Sequence, residues 1–287
     1  MTPETPRLGS AIVRVSWAPL RREPRHASEM VSQVLLGEAL EVLEPTDGTI
    51  VHPGWAVVRA LDGYNGFVTL GSLLACSGSV AADWTSRASS TSLGTGLNPI
   101  DVDDAGDCTD ASRYAPWGAK LAPAGDGKLE LPGGGYVEAT DLNRLVAAGD
   151  RADRYPRDPA TIVRTAMEWL GTPYVWGGRT DQGADCSGFV QSVYSIHGFA
   201  LARDSGDQFE SGPKVGGPDS GQAGVAGDLW FFAFDDGPVS HVGICLGDAR
   251  MIHASETRGC VAIDVVGEGD YGGTLADGFI GAVRVES

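Results

Sequence analysis

The run Asp185-Cys186-Ser187-Gly188-Phe189-Val190 decides how this chain is read. Val190, Val193, Tyr194 and His197 follow at helical spacing, and Gly198 stands past the last of them. A helix is therefore predicted to begin near Cys186, with Asp185 as its cap. A helix start carries partial positive charge and unsatisfied N–H groups, which favour a thiolate and lower its pKa. Ser187 and Gly188 are small and are expected to leave backbone N–H groups open to a reacting carbonyl oxygen. Taken alone, Cys186 reads at least as well as a buried structural cysteine, one of the most buried residue types.

Downstream, His241 and His253 flank an expected hairpin that turns at Leu246-Gly247-Asp248. Val242, Ile244 and Leu246 share one face of the first strand, and Ile252 and Ala254 share one face of the second. These sets lie on one side only if Val242 is level with Ile252 or offset from it by an even number of residues. In the level register His241 falls opposite His253, and both imidazoles project from the non-core face beside Gly243. A two-residue Gly247-Asp248 turn would split them, so a three-residue loop or a bulge is expected. A cysteine at a helix end with two histidines on a sheet supplies nucleophile, base and orienter.

The same three residues could ligate zinc, but no close-spaced ligand pair such as C-x-x-C or H-E-x-x-H accompanies them, so no metal is expected. His26, His52 and His197 are expected at the surface or at edges. Cys76, Cys108, Cys245 and Cys260 are expected to be structural or incidental, with Cys245 on the face of His241.

Around this centre, Asp158-Pro159 opens an expected helix bearing Ile162, Val163, Ala166, Trp169 and Leu170, which Gly171-Thr172-Pro173 stops. Strands are expected at 229–232, 240–246, 250–254 and 279–285. The N-terminal half has a different texture. Short β segments punctuated by Gly, Asp and Asn recur from Ala11 to Val68, as in a small barrel. The Ser- and Asp-rich residues 75–110 read as a linker. Alternation then resumes at 117–121, 127–131 and 135–137, and the pairs Leu70/Leu73 and Leu142/Leu145 hint at a divergent repeat. The expected domains are 1–74, 75–148 and 149–287, in an α+β chain whose last domain packs helices on an antiparallel sheet.

The 287 residues suit two or three domains. With 38 acidic against 21 basic residues, the net charge of −17 disfavours nucleic acid and anionic membrane surfaces. No signal peptide or apolar span is visible, and five cysteines without paired spacings fit a reducing compartment, so a cytoplasmic location is expected.

Gly171-Thr172-Pro173-Tyr174-Val175-Trp176-Gly177-Gly178, Asp185 to Val190, Ser240-His241-Val242-Gly243-Ile244 and Met251-Ile252-His253-Ala254-Ser255, in this order, resemble the NlpC/p60 cysteine peptidases, a branch of the papain-like fold. Arg203-Asp204-Ser205-Gly206-Asp207-Gln208 and Gly63-Tyr64-Asn65-Gly66-Phe67 are similar to its cytoplasmic branch, which carries two bacterial SH3-like domains before the peptidase. The resemblance implies Cys186 as nucleophile, His241 as base and His253 as orienting residue, with no cofactor. It implies a murein-derived L-Ala-γ-D-Glu-diamino acid peptide as partner, cut after γ-D-Glu, and a monomer is expected. Tyr64, with Glu29 as the matching acid, would read the free amine of L-Ala. Tyr174, Asp185, Ser187, Asp204 and Ser205 match positions that contact the L-Ala-γ-D-Glu part. Arg203 would serve the D-Glu carboxylate or pair with Asp204, and Trp176 is expected in the core. The rival readings are a thiol amidase or acyltransferase on the same fold, and a non-catalytic module that binds wall peptides.

Overall fold

A computed structural model describes residues 7–43, 53–100, 114–217 and 224–286. His52 and Cys108 lie outside the described residues. The chain divides into two compact units, Met1–Asp150 and Arg151–Ser287.

The first unit holds two seven-stranded antiparallel sheets. One takes strands between Arg7 and Cys76, the other strands between Ser90 and Ala147. Numbered within its own sheet, each follows the order 3-2-6-5-4-1-7. In each, a short 3-10 turn, Leu70–Ser72 or Leu142–Arg144, leads into the last strand. The leucine pairs seen in the sequence mark this shared element, and the repeat is one of topology. Alternation builds the barrels: in Trp55–Arg59 every second residue is buried, and Val13, Leu20, Val34, Leu40, Val58 and Val68 fill the first core.

Of this expected linker, the described residues 75–100 are more than a linker. Gly78–Arg87 is a helix capped by Ser77, whose side chain accepts from the Val80 N–H. Ala81 and Trp84 are buried, and the indole N–H of Trp84 donates to the Gly37 carbonyl at 2.8 Å. Strands Ser90–Ser92 and Thr95–Ile100 follow. The serines here cap and turn the chain instead of loosening it.

The second unit lays helices on a six-stranded antiparallel sheet. Its order is Lys214–Gly216, Phe279–Val283, Leu229–Ala233, Val239–Gly247, Arg250–Ser255, Cys260–Val265. Helix Pro159–Met167 starts at Asp158, whose carboxylate accepts from the Thr161 N–H at 3.0 Å. Helix Cys186–Ile196 packs on the two central strands of the hairpin. One sheet face, with Val242, Ile244 and Ile252, is buried. The opposite face is also a core, made of Trp230, Phe232, Cys245 and Met251 under Leu275. The histidine-bearing face, expected to be non-core, is therefore covered. Its lid is helix Gly269–Gly278, which four glycines hide from propensity reasoning. Packing demands some of them: a Cβ on Gly272 would meet the Val265 carbonyl oxygen at 2.3 Å.

Candidate active site

Asp185 fixes the start of the nucleophile helix. Its Oδ1 accepts from the Gly188 N–H at 2.8 Å, and its Oδ2 accepts from the Gly177 N–H at 2.9 Å. Arg203 grips the same carboxylate with two guanidinium nitrogens, at 3.0 and 2.6 Å, and donates to Ser187 Oγ at 2.9 Å. Gln208 donates to the Ser187 and Ala202 carbonyls at 3.0 and 2.8 Å. A Cβ on Gly188 would stand 2.1 Å from the Gly178 carbonyl oxygen. Gly188 is thus small for close packing, and its N–H belongs to the cap. It is not the open oxyanion donor expected from the sequence. The N–H of Cys186 itself, in the first helical position, remains an orphan of the helix start.

Cys186 is buried, and its Sγ lies 4.0 Å from the carbonyl oxygen of Ser240, the residue before His241. Burial, reinforced by the Asp185 carboxylate, pushes the thiol up to about 12. The expected lowering by the helix start is overturned, because desolvation outweighs the dipole and the cap adds a negative charge beside the sulfur. The resting group is a thiol.

The hairpin resolves the register. Ile244 pairs with Ile252 and Cys245 with Met251, with a bulge before Gly247–Arg250 and a tight turn at Asp248 and Ala249, both at positive φ. The bulge was expected. The pairing is offset by two from the level register, so Gly243, not His241, falls opposite His253. Gly243 leaves the room: a Cβ there would meet His253 Cβ at 3.0 Å and Met251 Sδ at 2.9 Å. The two rings meet diagonally, with His241 Nε2 2.6 Å from His253 Nδ1. Tetrahedral zinc with Zn–N bonds of ~2.0–2.1 Å would hold these nitrogens about 3.3 Å apart, so their spacing is that of a hydrogen bond. His241 is half-buried against Phe232, and burial with His253 beside it lowers its pKa to about 3.

Two residues escaped the sequence reading. Asp264 Oδ2 lies 3.0 Å from His253 Nε2, and Arg258 pairs with both carboxylate oxygens. The His253 hydrogen bond and Arg258 hold Asp264 well below the usual carboxylate range. A buried aspartate in the apolar run Val261-Ala262-Ile263-Asp264-Val265 was the available signal.

The remaining expected residues divide. Asp185, Ser187 and Arg203 are buried and hold the helix start; Arg203 pairs with Asp185, a partner the sequence did not suggest. Tyr174 is half-buried, and burial above all raises its phenol, with the Asp185 carboxylate adding to the shift, so its hydroxyl stays protonated. Asp204 is exposed at the start of helix Ser205–Phe209, and Ser205 Oγ donates to the Val239 carbonyl at 3.5 Å. Trp176 is 60% exposed, so it is not a core residue. His197 is buried instead of peripheral, with Nδ1 2.7 Å from the Pro156 carbonyl and Nε2 3.0 Å from Thr165 Oγ1. His26 is exposed. In the first unit, Tyr64 packs against the barrel core, and Glu29 forms an ion pair with Arg22 at 3.0 Å.

Residues 171–276 match the NlpC/P60 family, and residues 20–73 match the bacterial dipeptidyl-peptidase Sh3 domain. A gamma-D-glutamyl-L-lysine dipeptidyl-peptidase of Bacillus subtilis (strain 168) is 38% identical over 112 residues, 38% of this chain and 36% of that protein. A protein of the same name from Bacillus cereus is 39% identical over 104 residues, 36% of this chain and 30% of that protein. The chain thus spans about a third of the length of these curated relatives. The crystal structure of an NlpC/P60 family protein from Bacillus cereus superposes with a TM-score of 0.77 at 22% identity, over 96% of this chain and 99% of that one, a likeness of fold. The chain carries an SH3-like domain followed by an NlpC/P60 domain.

Proposed function

We propose that this chain, with its NlpC/P60 domain, is a cysteine endopeptidase that cleaves freed murein stem peptides after γ-D-Glu and releases L-Ala-γ-D-Glu. The observation that carries the reading is Cys186 at a capped helix start, with its sulfur against Ser240 and the His241–His253 pair on the adjoining strands. Relatives named for a γ-D-glutamyl-L-lysine bond support the choice of substrate.

His253 Nδ1 accepts from His241 Nε2–H, which leaves the lone pair of His241 Nδ1 to take the Cys186 proton. Because the resting thiol and imidazole are both neutral, that proton moves as sulfur attacks the γ-carbonyl carbon. The oxyanion forms near the Cys186 N–H. His241 then protonates the departing amine, and water, activated by the same nitrogen, hydrolyses the thioester. The Tyr174 hydroxyl, Asp204 and Ser205 line the acyl side. Tyr64 and Glu29 read the L-Ala ammonium and limit the enzyme to fragments already free of muramic acid. The net charge of −17 suits small released peptides better than an anionic wall, and the proposal places the enzyme in the cytoplasm as a monomer.

The test is digestion of L-Ala-γ-D-Glu-L-Lys and its meso-diaminopimelate counterpart, read by mass spectrometry. Wild type releases L-Ala-γ-D-Glu from at least one of them, and Cys186→Ala releases none. Loss of L-Ala alone, or an unchanged Cys186→Ala, overturns the assignment.

A further inference from the structure

We infer that Asp264, anchored by Arg258, is a positioning residue that fixes the tautomer of both histidines and so decides which nitrogen of His241 is the base. The inference rests on the proposed thiol chemistry but not on the identity of the peptide.

Asp264 sits on the strand beyond His253, two pairing positions along and so on the same face: Ala262 pairs with His253 and Asp264 with Met251. It is buried, as is His253. An ionised carboxylate only accepts, so the 3.0 Å contact makes His253 Nε2 the protonated nitrogen. In the neutral ring His253 Nδ1 then accepts, and the 2.6 Å contact makes His241 Nε2 a donor. One proton remains to be assigned on neutral His241, and it is already spent, so Nδ1 carries the lone pair. A carboxylate two rings away from the thiol sets the base.

The surroundings keep that carboxylate charged and still. Arg258 contacts Asp264 Oδ2 at 3.2 Å through Nε and Oδ1 through Nη2. The Tyr271 ring stacks on His253 at 6.2 Å and lies under the Arg258 guanidinium at 5.2 Å. The Tyr271 hydroxyl and Ser255 Oγ hydrogen-bond at 2.9 Å. Phe232 flanks His241. Arg258 is the cation facing Asp264, and His253 is its other titratable neighbour. During attack the S–H bond breaks, the proton goes to His241 Nδ1 and the S–C bond forms. The imidazolium stays bonded to His253 Nδ1, and Asp264 keeps its charge without taking a proton.

Arg258 makes the inference sharp. It has only donors, so in Asp264→Asn it holds the amide oxygen and turns the NH2 toward His253 Nε2. His253 is then forced to the Nδ1–H tautomer and His241 to the wrong one. The experiment compares wild type, Asp264→Asn and Asp264→Asn/Arg258→Met, all with unfolding curves to check the fold. Imidazole 15N spectra report the tautomers, and Cys186 alkylation rates report thiol activation without any peptide. Wild type is expected to show Nε2–H on both histidines. Asp264→Asn shows Nδ1–H on both, with kcat lowered by about 10²–10⁴-fold and KM within about threefold. Arg258→Met on that background frees the amide to present its oxygen to His253, and restores at least about tenfold of kcat or of the alkylation rate. Nδ1–H on His253 in the wild type, or a folded Asp264→Asn with unchanged tautomers and rates, overturns the inference. If no peptide is cut, the substrate assignment fails while the spectra and alkylation rates still decide this point.

Discussion

His241 and His253 touch through nitrogens 2.6 Å apart although they are not paired across their hairpin; Gly243 is the residue opposite His253. The two-residue offset turns a side-by-side pair into a diagonal one, and only a residue without a side chain lets the rings close over it. Gly243→Ala would place a Cβ within 3.0 Å of both His253 and Met251. It is expected to cost about 1–3 kcal/mol of stability through overpacking. Peptidase kcat should fall further than the shift in Tm explains, because the ring contact opens. Equal kcat in a folded Gly243→Ala protein would show that the contact is dispensable.

Arg203 separates scaffold from substrate binding. It is buried and shares its charge with Asp185 at 2.6 Å. Arg203→Met leaves that carboxylate unpaired at the helix start, with an expected loss of about 3–5 kcal/mol in urea unfolding. Arg203→Lys keeps the charge but loses the two-pronged grip, and falls between. A stable Arg203→Met with a raised KM alone would return Arg203 to the substrate.

The pH dependence follows from burial. In the proposed mechanism His241 must be neutral to act as the base, and burial lowers its folded pKa to about 3, below the usual 6.5. Activity should therefore persist as pH falls through the ordinary histidine range and disappear only near the lowered value. Stability moves with the same sign. The unfolded chain takes up protons on His241 and on buried His197, which is also lowered by desolvation, so stability is full above about pH 6.5 and declines below it. Urea midpoints at neutral and acid pH check this, and an acid limb of kcat/KM near 6.5 would contradict it.

The thiol gives a spectroscopic prediction. With Cys186 pushed up to about 12, wild type minus Cys186→Ala should show no thiolate absorbance between about pH 5 and pH 9. A thiolate signal at neutral pH would establish a resting ion pair.

Tyr64 and Glu29 carry the proposed free-amine requirement. Tyr64→Phe and Glu29→Gln should raise KM for L-Ala-γ-D-Glu-L-Lys by tenfold or more, about 1.4 kcal/mol, with little change in stability. Peptide N-acylated on L-Ala should be a poor substrate of the wild type. Equal turnover of free and acylated peptides removes the gate.

Much of the site was legible because it is local. Asp185 before Cys186, Asp158 before Pro159 and the alternation around His241 and His253 are encoded within a few residues. What the sequence concealed depends on contacts between segments. The helix N-terminus promised a low thiol pKa, but burial and the capping carboxylate reverse it. Gly188 looked like an open door to an oxyanion, yet it is small because the Gly178 carbonyl presses on it. Asp264 lies in a strand that reads as apolar, and its partner His253 is reached only across the sheet. Trp176 belongs to an apolar-looking stretch but faces outward. Helix Gly269–Gly278 is held by packing against Val265 and Phe234, which no helix propensity reports.

The most direct test of the account is the intermediate itself. Wild type mixed with excess L-Ala-γ-D-Glu-L-Lys, quenched in acid while turning over and digested for peptide mapping, should carry an L-alanyl-D-glutamyl group on Cys186 as an acid-stable thioester, released by hydroxylamine. Product formation with the acyl group on another residue, and none on Cys186, would contradict it.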